Sequence, residues 1–229
     1  MARERISDDA SQLPRGRHGL THGAVVEHQR QRMIRAVPSA VREKGFVALT
    51  VEDIASRAGV SRRTFYENFR DKEDCFVTSY RQHAQELVAV VGGAAAAGSD
   101  WHERTRFGLR AMLRHLAERP DLVYMAVIEV NAAGPAALGV RDEAVGLLAA
   151  LIGDEAFVTA PEPAPRLLLR TIGGSILQLI YASVLAGHDR ELEELLPTIM
   201  YIVLVAIDGP QDAAIRAGLL SARTGSETG

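Results

Sequence analysis

A single stretch, Leu49 to Tyr80 (LTVEDIASRAGVSRRTFYENFRDKEDCFVTSY), constrains the rest of the chain, because it sets two short helices at a fixed angle. Thr50 can accept a hydrogen bond from the free N–H groups of a starting helix, and Asp53, three residues on, completes a capping box. Val51, Ile54, Ala55 and Ala58 then share an apolar face at helical spacing, with Glu52, Asp53, Ser56 and Arg57 outside it. Gly59 supplies the left-handed residue that ends this helix, Val60 anchors the turn, and Ser61 caps the next helix. Two helices joined this way stand at roughly 90–120°, so the second can enter a DNA major groove while the first braces it.

The second helix carries groups suited to that groove. Phe65 and Phe69, four apart, turn inward and leave Arg62, Arg63, Thr64 and Tyr66 outside. Arginine can fork onto guanine O6 and N7, threonine can meet a base edge or a thymine methyl, and Ser or Tyr hydroxyls suit phosphates. Asp71 reads as the cap of a third helix. Lys72 lies in its first turn, where the helix dipole disfavours a cation, and a nearby phosphate would explain it. The run TVEDIASRAGVSRRTFYENFRDKEDCF resembles the signature of the tetracycline-repressor (TetR) family of bacterial transcription regulators. That resemblance implies a three-helix head and a body of about six helices whose last two form a dimer's four-helix interface. It also implies repression relieved by a small molecule entering the body, and DNA contacts at Thr50, Ser61, Arg62, Arg63, Thr64, Tyr66 and Lys72. Pro38 in the first helix and the long basic arm before it depart from the family pattern.

Composition points the same way. The 229 residues are 47% hydrophobic but only 5% aromatic, with Ala and Leu dominant and β-branched runs short, which favours an all-α fold. The net charge of −3 conceals an asymmetry: Met1 to Gln85 holds 15 Lys and Arg against 11 Asp and Glu (+4), and the remainder 11 against 18 (−7). A basic end joined to an acidic one suits a DNA-binding head on a body that stays off the DNA. Cys75, the single cysteine, excludes an intrachain disulfide framework, and the N-terminus lacks the apolar core of a signal peptide. The expected location is cytoplasmic, with the nucleoid. There is no Gly-rich phosphate loop, zinc spacing or nucleophile elbow, and the seven His are scattered, so neither catalysis, cofactor nor metal is expected.

Taken in order, residues 1–20 read as a flexible basic arm whose Arg15 and Arg17 suit a minor groove. Residues 21–80 form the helix-turn-helix domain, 81–220 the effector-binding and dimerisation domain, and 221–229 a disordered tail. The first helix should run from about Thr21 to Lys44, with a kink near Ile34 forced by Pro38. The third head helix should continue to about Val91, followed by a hinge at Gly92, Gly93 and the alanine run. Helices are then expected over Trp101–Arg119, stopped by Pro120, and over Asp121–Asn131 and Ala136–Ile152. The last two, Arg166–Ala186 and Asp189–Asp208, are the most apolar. Arg170 and Gln178 interrupt Leu167–Ala186, which falls short of the ~20 residues of a membrane span and reads as buried in protein. Ile172, Ser175, Ile176, Leu179, Ile199, Ile202, Val203 and Ala206 are candidates for the dimer interface. Phe107, Met112, Tyr124, Met125, Ile128, Gln178 and Tyr181 are candidates for an apolar ligand pocket.

The function expected is that of a homodimeric repressor that leaves a palindromic operator when a small, mostly hydrophobic ligand binds. The alternatives are a transcriptional activator, an effector-independent DNA-binding protein, or an enzyme carrying a DNA-binding head.

Overall fold

Capping chemistry sets the boundaries of the first four helices. α1 (His22–Lys44) ends at Gly45, whose φ of 72° needs a residue without a Cβ. α2 (Val51–Ala58) begins on Thr50, whose Oγ1 accepts from the Asp53 N–H at 3.2 Å, while the Asp53 carboxylate accepts from the Thr50 N–H at 3.0 Å. It closes in a Schellman turn, with Gly59 at φ 62° and the N–H groups of Gly59 and Val60 returning to the carbonyls of Ser56 and Ala55. α3 (Arg62–Asn68) starts on Ser61 and α4 (Lys72–Ala95) on Asp71, each side chain accepting from the N–H three residues later. The computed structural model describes residues 22–153 and 164–221. Arg15 and Arg17 therefore lie outside the described residues.

α5 (Trp101–Ala117), α6 (Pro120–Val127), a 3₁₀ turn (Glu129–Asn131), α7 (Pro135–Gly153) and α8 (Ala164–Leu185) follow. The chain continues through a second 3₁₀ turn (Leu192–Leu195), α9 (Leu196–Asp208) and α10 (Pro210–Ala217). The described residues are thus all-α, with no strand among them.

Four expectations need correction. α1 runs as one span across Pro38, and the Ile34 carbonyl, which Pro38 cannot serve, accepts from the fully buried Ser79 hydroxyl of α4 at 2.9 Å. Gly92 and Gly93 stay helical rather than forming a hinge. α5 holds that end of α4, since a Cβ on Gly108 would lie 3.3 Å from Val91 and 3.6 Å from Ala95. Pro120 opens α6 in the first turn, where its missing N–H costs nothing. The final helical region is broken at Gly209–Pro210 into α9 and α10, and α9 starts only at Leu196, so Pro197 sits in its first turn.

Two apolar clusters organise the packing. One gathers α1, α2, α3 and the start of α4 around Met33, Ile34, Phe65 and Phe76, and extends into α6 and α7 through Leu122, Met125, Val130 and Ala137. The other joins α5, α8, α9 and α10 around Leu113, Ile176, Ile199 and Leu204.

Candidate nucleic-acid interface and the cavity behind it

α3 buries Phe65 and Phe69 and turns its other side outward. Arg62 lies with its guanidinium 5.7 Å from the centre of the Tyr66 ring, and the Tyr66 hydroxyl holds the guanidinium pKa above its ordinary value. Arg63 projects almost fully into solvent, its Nε 3.0 Å from Glu67 on the next turn. Tyr66 is half exposed, and Thr64 Oγ1 is 2.9 Å from Ser61 Oγ at the same end of the helix. Ser61, Arg62, Arg63, Thr64 and Tyr66 therefore share one outer surface. Thr50 caps the neighbouring helix, where Lys44 and Thr50 together pull the Asp53 carboxyl down to about 2.

Lys72 differs from expectation. Its ammonium donates to the carbonyls of Phe46, Val47 and Leu49 at 3.0, 3.1 and 2.9 Å and lies 4.8 Å from the Phe46 ring centre. Three N–H donors meet three carbonyls, which resolves its place at a helix start without a phosphate. Two α1 residues not singled out by the sequence also reach the head: Arg32 donates to the Gly59 carbonyl at 3.4 Å, and Arg30 covers the Phe69 ring at 5.2 Å. Nothing local in α1 marks them, since their partners lie far along the chain.

Contacts from the body grip the head at the loop after α1. The Glu129 carboxylate, in the first 3₁₀ turn, accepts from the Phe46 N–H at 2.7 Å. Arg42 pairs with Asp189 at 2.9 Å and lies 4.4 Å above the Tyr124 ring. The Tyr80 hydroxyl donates to the Ala126 carbonyl at 3.2 Å, and burial raises its pKa.

Between the two clusters is a cavity enclosing about 1020 Å³ of space free of atoms, its open mouth included, walled by α4, α5, α6, α7 and α8. Met112 and Met125 line it as expected; Phe107, Tyr124, Ile128, Gln178 and Tyr181 do not. Tyr124 lies under Arg42, Ile128 follows α6 as its C-cap, and Gln178 is exposed on the outer side of α8. Phe107 and Tyr181 are half-buried elsewhere. Tyr80, His83 and Arg141 line the wall instead. Their polarity hid them, because a polar residue on an amphipathic helix reads as solvent-facing.

The candidate dimer residues divide similarly. Ile172 and Ile176 line the cavity, and Ile199 and Val203 are buried in the second cluster. Leu179 and Ile202 are half-buried against that cluster, the Ser175 hydroxyl donates to the Thr171 carbonyl at 3.0 Å, and the side chain of Ala206 is outside the described residues. The outer side of α8 presents Leu167, Thr171, Gly174, Gln178, Ala182 and Leu185. α8 is long and apolar enough to cross a membrane by length and composition, and only 22% of its most apolar window is buried, contrary to the expectation of burial within the chain.

The model of the tetR family of bacterial regulatory proteins matches residues 40–78. The transcriptional activator FasR of Mycolicibacterium smegmatis is 27% identical over 85 residues, which are 37% of this chain and 39% of that protein, so the match spans well under half of the relative's length. The fatty acid degradation regulator FadR from Bacillus halodurans superposes with a TM-score of 0.67 at 20% identity, covering 78% of this chain and 94% of that one. FadR from Bacillus subtilis, in complex with stearoyl-CoA, gives 0.67 at 18% identity over 78% and 98%. FadR from Thermus thermophilus, a repressor in complex with lauroyl-CoA, gives 0.58 at 23% identity over 87% and 100%.

Proposed function

The chain is a TetR-family transcriptional regulator, and from that premise we propose a homodimeric, cytoplasmic repressor that leaves a palindromic operator when a fatty-acyl ligand fills the cavity between its two clusters. The observation that carries this reading is the position of α6. Leu122, Val123, Met125, Ala126 and Val127 wall the cavity, and the 3₁₀ turn that follows holds the loop before α2 through Glu129 and Phe46. A chain pressed against α6 would thus act on the element that fixes the pose of α2 and α3. The apolar wall suits an alkyl chain, and two FadR proteins of the same fold carry acyl-CoA. Release requires that the ligand prefer the conformation that does not fit DNA.

Dimerisation is supported by the uncovered outer side of α8, where Leu167 and Leu185 are each more than half exposed. A two-fold partner there would present two copies of α3 to half-sites about one helical turn apart. The contacting residues proposed on each head are Thr50, Ser61, Arg62, Arg63, Thr64 and Tyr66, with Arg15 and Arg17 of the arm in the minor groove.

Selection from random DNA followed by fluorescence anisotropy tests the whole. Two protomers per palindrome are expected, with affinity falling steeply as salt rises, and palmitoyl-CoA releasing the site. Undiminished operator binding across a C8–C18 acyl-CoA series would sink the ligand reading. The similarity to FasR, an activator, favours a second reading in which the same head activates; transcription from a reporter in the protein's presence and absence separates the two.

A further inference from the structure

We infer that the cavity receives an amphiphile in one orientation, with an anionic end held by Arg141 beside His83, and that Arg141 selects charged single-chain lipids over neutral ones. The inference rests on the fatty-chain reading of the cavity given above. Tyr80, His83 and Arg141 are the polar side chains among the described residues of the wall, and the remainder are aliphatic, Met or Gly. They lie together: Tyr80 and His83 are one turn apart on α4, and Arg141 is near enough to act electrostatically on the Tyr80 hydroxyl. That hydroxyl already donates to the Ala126 carbonyl.

Arg141 has capacity to spare. Its Nε and Nη2 reach Asp142 Oδ1 at 3.2 and 3.1 Å, and its Nη1 reaches Asn131 at 3.4 Å. A guanidinium has five N–H groups, so one remains on each terminal nitrogen. The Asp142 side chain is 58% exposed, so the pair is well solvated and a headgroup can compete for the guanidinium. His83 adds unused capacity, since Nδ1 meets Glu86 at 3.1 Å while Nε2 is buried without a partner. As an acceptor Nε2 suits a hydroxyl or protonated carboxyl, and as a donor a carboxylate or acyl oxygen. A largely buried cation at the edge of an apolar wall is stabilised by an anion, which a neutral lipid cannot supply.

The shared chemistry is an anionic oxygen on an alkyl chain, which either a free fatty acid or an acyl-CoA provides. Calorimetry on the full-length protein with palmitate, palmitoyl-CoA and hexadecanol distinguishes them, using the wild type, Arg141→Met and Arg141→Lys, with circular dichroism melts on each. At least one anion should bind the wild type about tenfold or more tighter than hexadecanol, as a charge-assisted hydrogen bond provides. Arg141→Met should erase that margin while keeping hexadecanol affinity, and Arg141→Lys should retain most of it. An effect confined to palmitate identifies the free acid, and one confined to palmitoyl-CoA the thioester. Equal binding of hexadecanol and both anions to the wild type, or an undiminished margin in Arg141→Met, overturns the inference and leaves the fatty-chain site intact. Failure of all three to bind the wild type overturns both.

Discussion

Pro38 and Ser79 show how one side chain answers another across 41 positions of sequence. Pro38 leaves the Ile34 carbonyl without its helical donor, and the buried Ser79 hydroxyl occupies the place. Ser79→Ala should destabilise the fold by about 1–3 kcal/mol, the usual effect of leaving a buried carbonyl unserved. In a Pro38→Ala background, whose restored N–H can serve Ile34, the loss should be smaller, and a double-mutant cycle in urea measures the difference. Equal losses in the two backgrounds would break the link. Asp53 gives a residue-scale dependence on acid. Its folded pKa of about 2 lies below the ordinary 3.8, so its stabilisation is complete above about pH 4 and is lost as pH falls through 2. Asp53→Asn should flatten that part of the acid-unfolding curve followed by circular dichroism, while leaving the neutral-pH transition cooperative.

At the scale of elements, the α6 segment is the link between cavity and head. Glu129→Ala, which removes the acceptor for the Phe46 N–H, should leave acyl-CoA affinity within about twofold, since residue 129 is outside the cavity wall, but weaken the effect of ligand on operator affinity by about fivefold or more. Calorimetry and anisotropy on one preparation read the two quantities, and full retention of ligand-driven release would rule the link out. The helix boundaries of the head were legible in the sequence because their causes are local: Thr50 with Asp53, Gly59, Ser61 and Asp71 each act within four residues. α8 was not legible in the same way. It is apolar on most sides, so no periodicity says which side faces inward, and Ile172 and Ile176 went to the cavity while Gln178 went outward. The glycines of α4 misled for a similar reason, since their helical state depends on contact with Gly108, an element away. Lys72 and Arg141 depend on partners that sequence spacing does not display.

On the scale of the whole molecule, the uncovered side of α8 is where a second copy is proposed to sit. Leu185→Glu should halve the mass measured by light scattering and sharply weaken operator binding, whereas Ile176→Ala, which faces the cavity, should leave the mass unchanged. A dimer surviving Leu185→Glu and further charges at Gly174 and Ala182 would place the contact elsewhere. The cavity also sits between the two clusters rather than inside either, with Tyr80, Leu122 and Met125 on one bank and Met112, Ile172 and Ile176 on the other. Voids make a folded chain pressure-sensitive, because unfolding eliminates them and lowers the system volume. Hydrostatic pressure should therefore loosen the seam between head and body before either cluster gives way, and an acyl chain filling the gap should reduce the magnitude of the volume change read by high-pressure fluorescence. The protein would then be stiffest when it is off the DNA.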